Sequence, residues 1–265
     1  MTSNERAPAP TTTGDGAPLA VFVSDVHLQE SMPRTAGAFL SFLRHHAARA
    51  RQVYLLGDLF EYWAGDDDLD TPFHRSIIAA LRALADDGVA VYWVGGNRDF
   101  LVGQGFAQAA GLSLLEEPHV TTLADRRIVL LHGDAQCTDD GAYMAFRAQV
   151  RQPAWQQQFL SMPLEKRKAI IAELRSGSRE AQRGKSYEIM DVNPEAIGKV
   201  FADTGAQLMI HGHTHRPAVH DHGDGRIRMV LPDWDADTDD ARGGWIALAA
   251  DGSLTRHGIA DVLAG

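Results

Sequence analysis

The chain has 265 residues, 45% of them hydrophobic, which is enough for one sizeable α/β domain with an insertion. A formal charge of −10 argues against a general nucleic-acid binder, because affinity for the phosphate backbone comes from Lys and Arg. The single cysteine, Cys137, rules out an internal disulfide and a cysteine-rich zinc site, and fits a reducing, cytoplasmic compartment.

Residues 1–17, MTSNERAPAPTTTGDGA, are rich in Pro, Thr, Ala and Gly and hold no apolar run of signal-peptide length. They read as a disordered tail before a folded domain over 18–265. No later stretch approaches the ~20 consecutive apolar residues that span a bilayer, so any membrane attachment is at the surface. The apolar run LAVFV stops at Ser24, VYLL at Gly57, VAVYWV at Gly95, RIVLL at His132 and AQLMI at His211. Short runs of this kind read as strands buried on both faces. Between the first three lie helical patterns, AFLSFLRHHAARA from Ala38 and FHRSIIAALRALADD from Phe73, so an α/β fold with a largely parallel or mixed sheet is expected.

From about 135 to 200 the strand rhythm stops, and Tyr143, Phe146, Val150, Trp155, Phe159 and Leu160 recur at roughly helical spacing. This predicts a helical lid inserted over the sheet edge. RIRMVLPDW and GWIALAADGSLTRHGI then alternate apolar with polar around Asp251-Gly252, predicting a closing antiparallel hairpin. The acidic stretches DDDLD from Asp66 and DWDADTDD from Asp233 match no ligand motif and read as loops and solvated turns.

Five motifs end the five apolar runs, where ligands of open sheets collect. SDVHL places Asp25 and His27 two residues apart, on one face of an extended segment. LLGDLFEYW offers Asp58, and GGNRDF offers Asn97 after paired glycines that permit close backbone approach. LLHGD offers His132, and MIHGHTHRP offers His213 and His215. Each alone has a plain alternative: Asp58 or Asn97 as a turn former, His132 as a hydrogen-bonded core residue, the last histidines as solvated loop. In succession they supply seven ligands, enough for two sets of four that share one carboxylate. Oxygen and imidazole without thiolate suit Mn²⁺, Mg²⁺, Fe or Zn²⁺ in a catalytic site. Two such cations ~3.5–4 Å apart acidify water and stabilise charge on phosphoryl oxygens.

From Val21 to about Pro217 the pattern D-x-H, GD, GN, H and GHTH resembles the calcineurin-like metallophosphoesterases. The resemblance implies a sandwich of two mixed β-sheets flanked by helices. It also implies Asp25, His27 and His215 on one ion, Asn97, His132 and His213 on the other, and Asp58 between them. Many members carry His after the Asn of the third motif; here Arg98 stands there, a permanent cation. GNRDF, with SDVHL, GDLFEYW, HGDAQCTDD and SYEIMDVNP, is similar to the UDP-2,3-diacylglucosamine pyrophosphatases of the lipid A pathway. That likeness implies Mn²⁺, a lipid-linked nucleotide substrate cleaved by water attack on its α-phosphate, and a peripheral place on the cytoplasmic face of the inner membrane. It further implies substrate contacts at Asn97, Arg98, Asp140, Ser178, Gln182, Lys185 and His213. Ser178, Gln182 and Lys185 share one helix face at i, i+4 and i+7, although Ser178 after Gly177 also suits a helix N-cap, and the family pattern has Asn where Gln182 stands. Asp99 and Asp134 are expected to orient ligands by hydrogen bonds.

Between Glu165 and Lys185 seven Lys or Arg stand against three Glu. They read either as a solvated helical face or as cations that draw a diphosphate or an anionic lipid surface. Two other functions share the same motifs. One is a metallophosphoesterase acting on a soluble nucleotide or phosphodiester, which Arg98 speaks against. The other is a non-catalytic scaffold, which the full set of seven ligands speaks against.

Overall fold

The predicted strands form, and the chain returns between them through helices, so they run parallel. The computed structural model describes residues 16–183 and 191–263, and for 177–183 the backbone alone. Residues 1–15 of the predicted tail lie outside the described residues. β1 (Ala20–Val23), β2 (Gln52–Leu56), β3 (Ala90–Val94) and β4 (Ser113–Leu115) are parallel neighbours. Their connections are α1 (Pro33–His45), α2 (Pro72–Asp86) and α3 (Gln104–Ala110). α1 starts earlier than its apolar pattern suggests, because Pro33 supplies a preset φ and lacks only an N–H that a first turn leaves unpaired.

A second sheet holds β5 (His119–Leu123), β6 (Arg126–Leu130), β7 (Leu208–His211), β8 (Val219–Asp221) and β9 (Ile227–Val230), in the order β5-β6-β7-β9-β8. The chain then returns to the first sheet, where β10 (Gly244–Leu248) pairs antiparallel with β1 and β11 (Leu254–Gly258) pairs antiparallel with β10. The predicted closing hairpin is therefore β10–β11, turning at Asp251-Gly252. The RIRMV segment is not part of it: as β9 it lies in the other sheet, parallel to β7.

Why the strands read as continuous apolar runs is now clear, since both faces of each sheet are covered. Phe22, Tyr54 and Leu56 meet Leu130, Leu208 and Ile210 between the sheets. On the outer face of the first sheet, Val21, Val53 and Leu55 pack with Phe39 and Phe42 of α1 and Ile77 and Leu81 of α2. On the outer face of the second, Val129 and Met209 pack with Ile197 and Phe201 of α7 (Pro194–Thr204). Each such fully buried side chain contributes ~1.5–3 kcal/mol. α7 starts where Asn193 accepts the N–H groups of Glu195 and Ala196 (2.8 and 3.1 Å), and it ends at Gly205 with φ 62°.

Before α7, the segment without strands folds as α4 (Gly141–Val150), α5 (Pro153–Leu160) and α6 (Leu164–Arg183). α6 sits on the loop after β2. The buried Arg167 donates to the Ala64 carbonyl and pairs with Asp67, Lys168 lies 2.6 Å from Asp68, and Arg175 pairs with Glu61. Three of the seven cations of this segment thus answer carboxylates of the chain itself. The acidic stretches are accordingly solvated only in part: Asp67, Asp70, Asp239 and Asp240 are exposed, while others hold the fold. Asp66 accepts from the Trp63 indole and from the N–H groups of Gly103 and Phe106, and Asp237 from those of Arg34 and Thr35. The backbone of Ser178 lies inside α6, so it caps no helix. Its side chain, that of Gln182, and all of Lys185 lie outside the described residues. Among the described residues no helix is long and apolar enough to cross a membrane.

Candidate metal centre and adjoining cavity

All seven predicted ligands come together just past the carboxyl ends of strands, where the ends of the two sheets meet. Asp25 and His27 follow β1, Asp58 follows β2, Asn97 follows β3, His132 follows β6, and His213 and His215 follow β7. Five of them hold left-handed backbone: Asp25, His27 and Asp58 at φ 52°, His213 at 66° and His215 at 55°. Such conformations are uncommon outside glycine and cluster where surrounding structure enforces them for function. Here the enforcement is visible in the backbone. The N–H of Asp25 donates to the Gly57 carbonyl and that of His27 to the Asp58 carbonyl, both at 3.0 Å. Gly212 permits the closest approach, since a Cβ there would stand 2.0 Å from Asp25 Oδ2 and 2.1 Å from Ser24 Oγ.

Asp25 is fully buried, and its two oxygens differ. Oδ2 accepts from the Ser24 hydroxyl (2.5 Å) and from the N–H of His213 (2.9 Å). Oδ1 is buried with no hydrogen-bond partner, 3.4 Å from His215 Nε2 and 3.9 Å from His27 Nε2. The two imidazole nitrogens face one another at 3.2 Å. A buried, orphaned carboxylate oxygen beside two converging imidazoles is a donor set that a divalent cation satisfies. The second set lies alongside. Asn97 Oδ1 is 2.9 Å from His132 Nε2 and 2.9 Å from His213 Nδ1, while Asp58 Oδ1 is 3.6 Å from His132 Nε2. His132 Nδ1 donates to the Leu56 carbonyl (2.9 Å), since a carbonyl only accepts, which leaves Nε2 as the nitrogen that could coordinate an ion. Asp25, Asp58 and His132 also lie within mutual reach, so Asp25 borders both sets.

The field at the site favours positive charge. Burial alone would push His132 down, yet Asp58, Asp25 and Asp134 hold it up at about 9. Asp25 is held well below the usual carboxylate range against its burial by His215, His132 and His27. Burial and the neighbouring His132 push His213 down to about 4.

Carboxylates behind the ligands hold them in place. Asp99, fully buried, accepts from four backbone N–H groups: Gly96 (2.8 Å) and Asp58 (3.2 Å) on Oδ1, Leu59 (2.7 Å) and Phe60 (3.3 Å) on Oδ2. It thereby ties the Asp58 loop to the Asn97 loop. Asp134, also expected to orient ligands, instead accepts from the Tyr143 hydroxyl (2.6 Å) and the Arg147 guanidinium (2.8 Å). Sequence reasoning missed Glu61, Glu117 and Asp233. Glu61 Oε2 lies 3.0 Å from His27 Nδ1, Asp233 Oδ2 lies 3.5 Å from His215 Nδ1, and Glu117 accepts from the His132 N–H at 2.7 Å. Only Glu61 had a local signal, its place in the GDLFEYW motif.

Arg98 reaches its position through its own N–H, which donates to Asp58 Oδ1 (2.8 Å), and its side chain lines a cavity of about 880 Å³ that opens from the ligands. Asp140, the N-cap of α4, lines it too. α4, α5 and α6 add a mainly apolar wall, with Phe146, Trp155, Ile170 and Leu174, beside Glu173 and Arg175. One cavity therefore joins a cation-attracting end to a hydrophobic end, a shape suited to an amphipathic phosphate-bearing molecule.

Residues 19–217 match the calcineurin-like phosphoesterase family. The UDP-2,3-diacylglucosamine hydrolase of Enterobacter sp. (strain 638) is 46% identical over 217 residues, covering 81% of this chain and 90% of its own. That of Sodalis glossinidius (strain morsitans) is 48% identical over 214 residues, covering 81% and 89%. Among solved structures, "Structural and Functional Characterization of a Novel Archaeal Phosphodiesterase" is similar at a TM-score of 0.46 and 10% identity, covering 90% of this chain and 98% of that one. The ligand cluster lies at the strand ends of two mixed sheets, the family match spans the segment bearing all seven ligands, and the identity extends across the insertion. The chain therefore belongs to the calcineurin-like phosphoesterase family and, within it, to the branch of the UDP-2,3-diacylglucosamine hydrolases.

Proposed function

We propose that this protein hydrolyses the pyrophosphate of UDP-2,3-diacylglucosamine, giving UMP and 2,3-diacylglucosamine 1-phosphate. The observation that carries the reading is the single cavity with metal-type ligands at one end and apolar helices at the other, in a chain 46% identical to hydrolases named for that substrate. Asp25, His27 and His215 would hold one divalent ion and Asn97, His132 and His213 a second, with Asp58 between them, and Mn²⁺ is the metal the resemblance implies. Ions held there supply acidified water and neutralise charge on phosphoryl oxygens.

The protein's own groups do the rest. Arg98, a fixed cation in the cavity, binds the diphosphate together with Asn97 and His213 and orients its α-phosphorus. Water adds to that phosphorus in line with the bond to the bridging oxygen, which breaks. UMP keeps the oxygen of water, and the bridging oxygen leaves on the acylated sugar phosphate. Phe146, Trp155, Ile170 and Leu174 shelter the acyl chains, so that α4–α6, within the 135–200 segment, act as a lid. Asp140, and from α6 and just beyond it Ser178, Gln182 and Lys185, complete the substrate contacts. The protein works peripherally on the cytoplasmic face of the inner membrane, where a lipid substrate of this kind resides, and binds no nucleic acid.

The test is direct. Purified protein with Mn²⁺ is given UDP-2,3-diacylglucosamine in detergent micelles, with and without chelator, in heavy-oxygen water. Metal-dependent release of labelled UMP and unlabelled sugar phosphate is the expected outcome. Hydrolysis of a simple phosphodiester with no turnover of the lipid would overturn the substrate and leave the centre standing.

A further inference from the structure

Glu61 lies where two parts of the fold meet that are far apart in sequence. Its N–H donates to the Leu28 carbonyl (3.2 Å), which fixes it to the loop that carries His27. Its two carboxylate oxygens then serve different partners. Oε2 lies 3.0 Å from His27 Nδ1, and Oε1 pairs with the Arg175 guanidinium of α6. All three side chains are largely shielded, with His27 13%, Glu61 16% and Arg175 20% exposed. Arg175 is itself held from the other side, its guanidinium 5.5 Å from the centre of the Tyr62 ring.

We propose that Glu61 is a positioning residue through which the seating of α6 sets the geometry of the metal ligand His27. A carboxylate behind a ligating imidazole accepts the N–H of one ring nitrogen and so turns the other nitrogen toward the ion. Here that other nitrogen is Nε2, which already faces His215 Nε2 and Asp25 Oδ1. With Arg175 on Oε1, the carboxylate is held at ion-pair distance from the imidazole. Without Arg175, Oε1 loses its cation and the carboxylate is free to turn toward the cavity. The insertion therefore contributes to ion binding although none of its residues is a ligand. α6 stays seated without Arg175, because Arg167 on Ala64 and Asp67 and Lys168 on Asp68 anchor it earlier along the helix.

The inference rests on His27 being a metal ligand, and the experiment separates the two. Mn²⁺ affinity is measured by calorimetric titration of chelator-stripped, substrate-free full-length protein, so that any contact of Arg175 with substrate plays no part. Glu61→Gln is expected to weaken binding about tenfold. Arg175→Gln is expected to weaken it in the same direction by a smaller factor, and Arg175→Lys to recover part of the loss. In the double variant the effect of Arg175→Gln should vanish, because the residue acts only through Glu61. Unchanged affinity in Arg175→Gln, or losses that add in the double variant, would overturn the coupling. Unchanged affinity in His27→Ala would overturn the ligand assignment instead. Should either glutamine variant fail to fold, Glu61→Asp and Arg175→Lys carry the same comparison.

Discussion

Replacing Asp99 by Asn probes the frame of the metal centre without touching a ligand. The carboxylate accepts four backbone N–H groups, two on each oxygen. An amide keeps one accepting oxygen and turns an NH₂ toward the other two donors, so two buried N–H groups lose their acceptor. Each unsatisfied donor costs ~1–3 kcal/mol, which gives about 2–6 kcal/mol before any compensation. Burial and the neighbouring charge of Asp58 hold Asp99 up at about 7, so removing the charge returns some of that repulsion. The net loss is therefore expected near about 2–4 kcal/mol, a drop in Tm on the order of 10 °C for a chain of this size. Thermal and urea unfolding of Asp99→Asn in the presence of chelator read the stability, and Mn²⁺ titration reads the centre. Affinity should fall as well, because the loops bearing Asp58 and Asn97 lose their shared tie. A variant with wild-type Tm and wild-type metal affinity would refute the role drawn for this carboxylate.

Arg98→Ala should lower kcat about 10²–10³-fold, as loss of one preorganised charge-stabilising group does, while Mn²⁺ titration still finds the wild-type number of ions; full activity in this variant would remove Arg98 from the chemistry. Gly212→Ala should lose both metal and activity, because its Cβ would stand 2.0 Å from Asp25 Oδ2, an overpacking that costs ~1–3 kcal/mol; a variant that binds metal normally would contradict the tight packing of that loop. Burial, with Asp134 and Asp191 nearby, pushes the Cys137 thiol up to about 12. Its reaction with a thiol reagent at pH 8 should therefore be far slower than that of the unfolded chain, because little thiolate forms, and equally fast labelling of the folded protein would count against this shift. The sign of the pH effect follows: the unfolded thiol ionises near pH 9 and the folded one does not, so this contribution to stability is present below pH 9 and is lost as pH rises toward 12. Urea unfolding of wild type and Cys137→Ala across that range measures it.

The seven candidate ligands stood out because each lies within a few residues of the end of an apolar run, and a strand that stops at such a motif presents it at the edge of a sheet whichever sheet it joins. Of the carboxylates behind them, Asp99 and Asp134 stood out in their motifs and Glu61 had a local signal, whereas Glu117 and Asp233 had none. Glu117 and Asp233 reach their imidazoles through pairings between distant segments, which no local period encodes. The basic stretch of α6 shows the same limit from the other side. Composition reported cations, and whether Arg167, Lys168 and Arg175 face a lipid surface or Asp67, Asp68 and Glu61 depended on where the loop after β2 lies.

Hydrophobic periodicity and the residues at its breaks pointed to β1, β2, β3, β6 and β7, to α1 and α2, to the β10–β11 hairpin and to the candidate ligands, because each is a property of a few neighbouring residues. The assignment of β9 to one sheet and of β10–β11 to the other, the meeting of both sets of strand ends at one site, and the closing of α4–α6 into an apolar wall beside it arose only in the folded chain. Those features are distances between residues remote in sequence, and only the packing of two sheets on a shared core sets such distances.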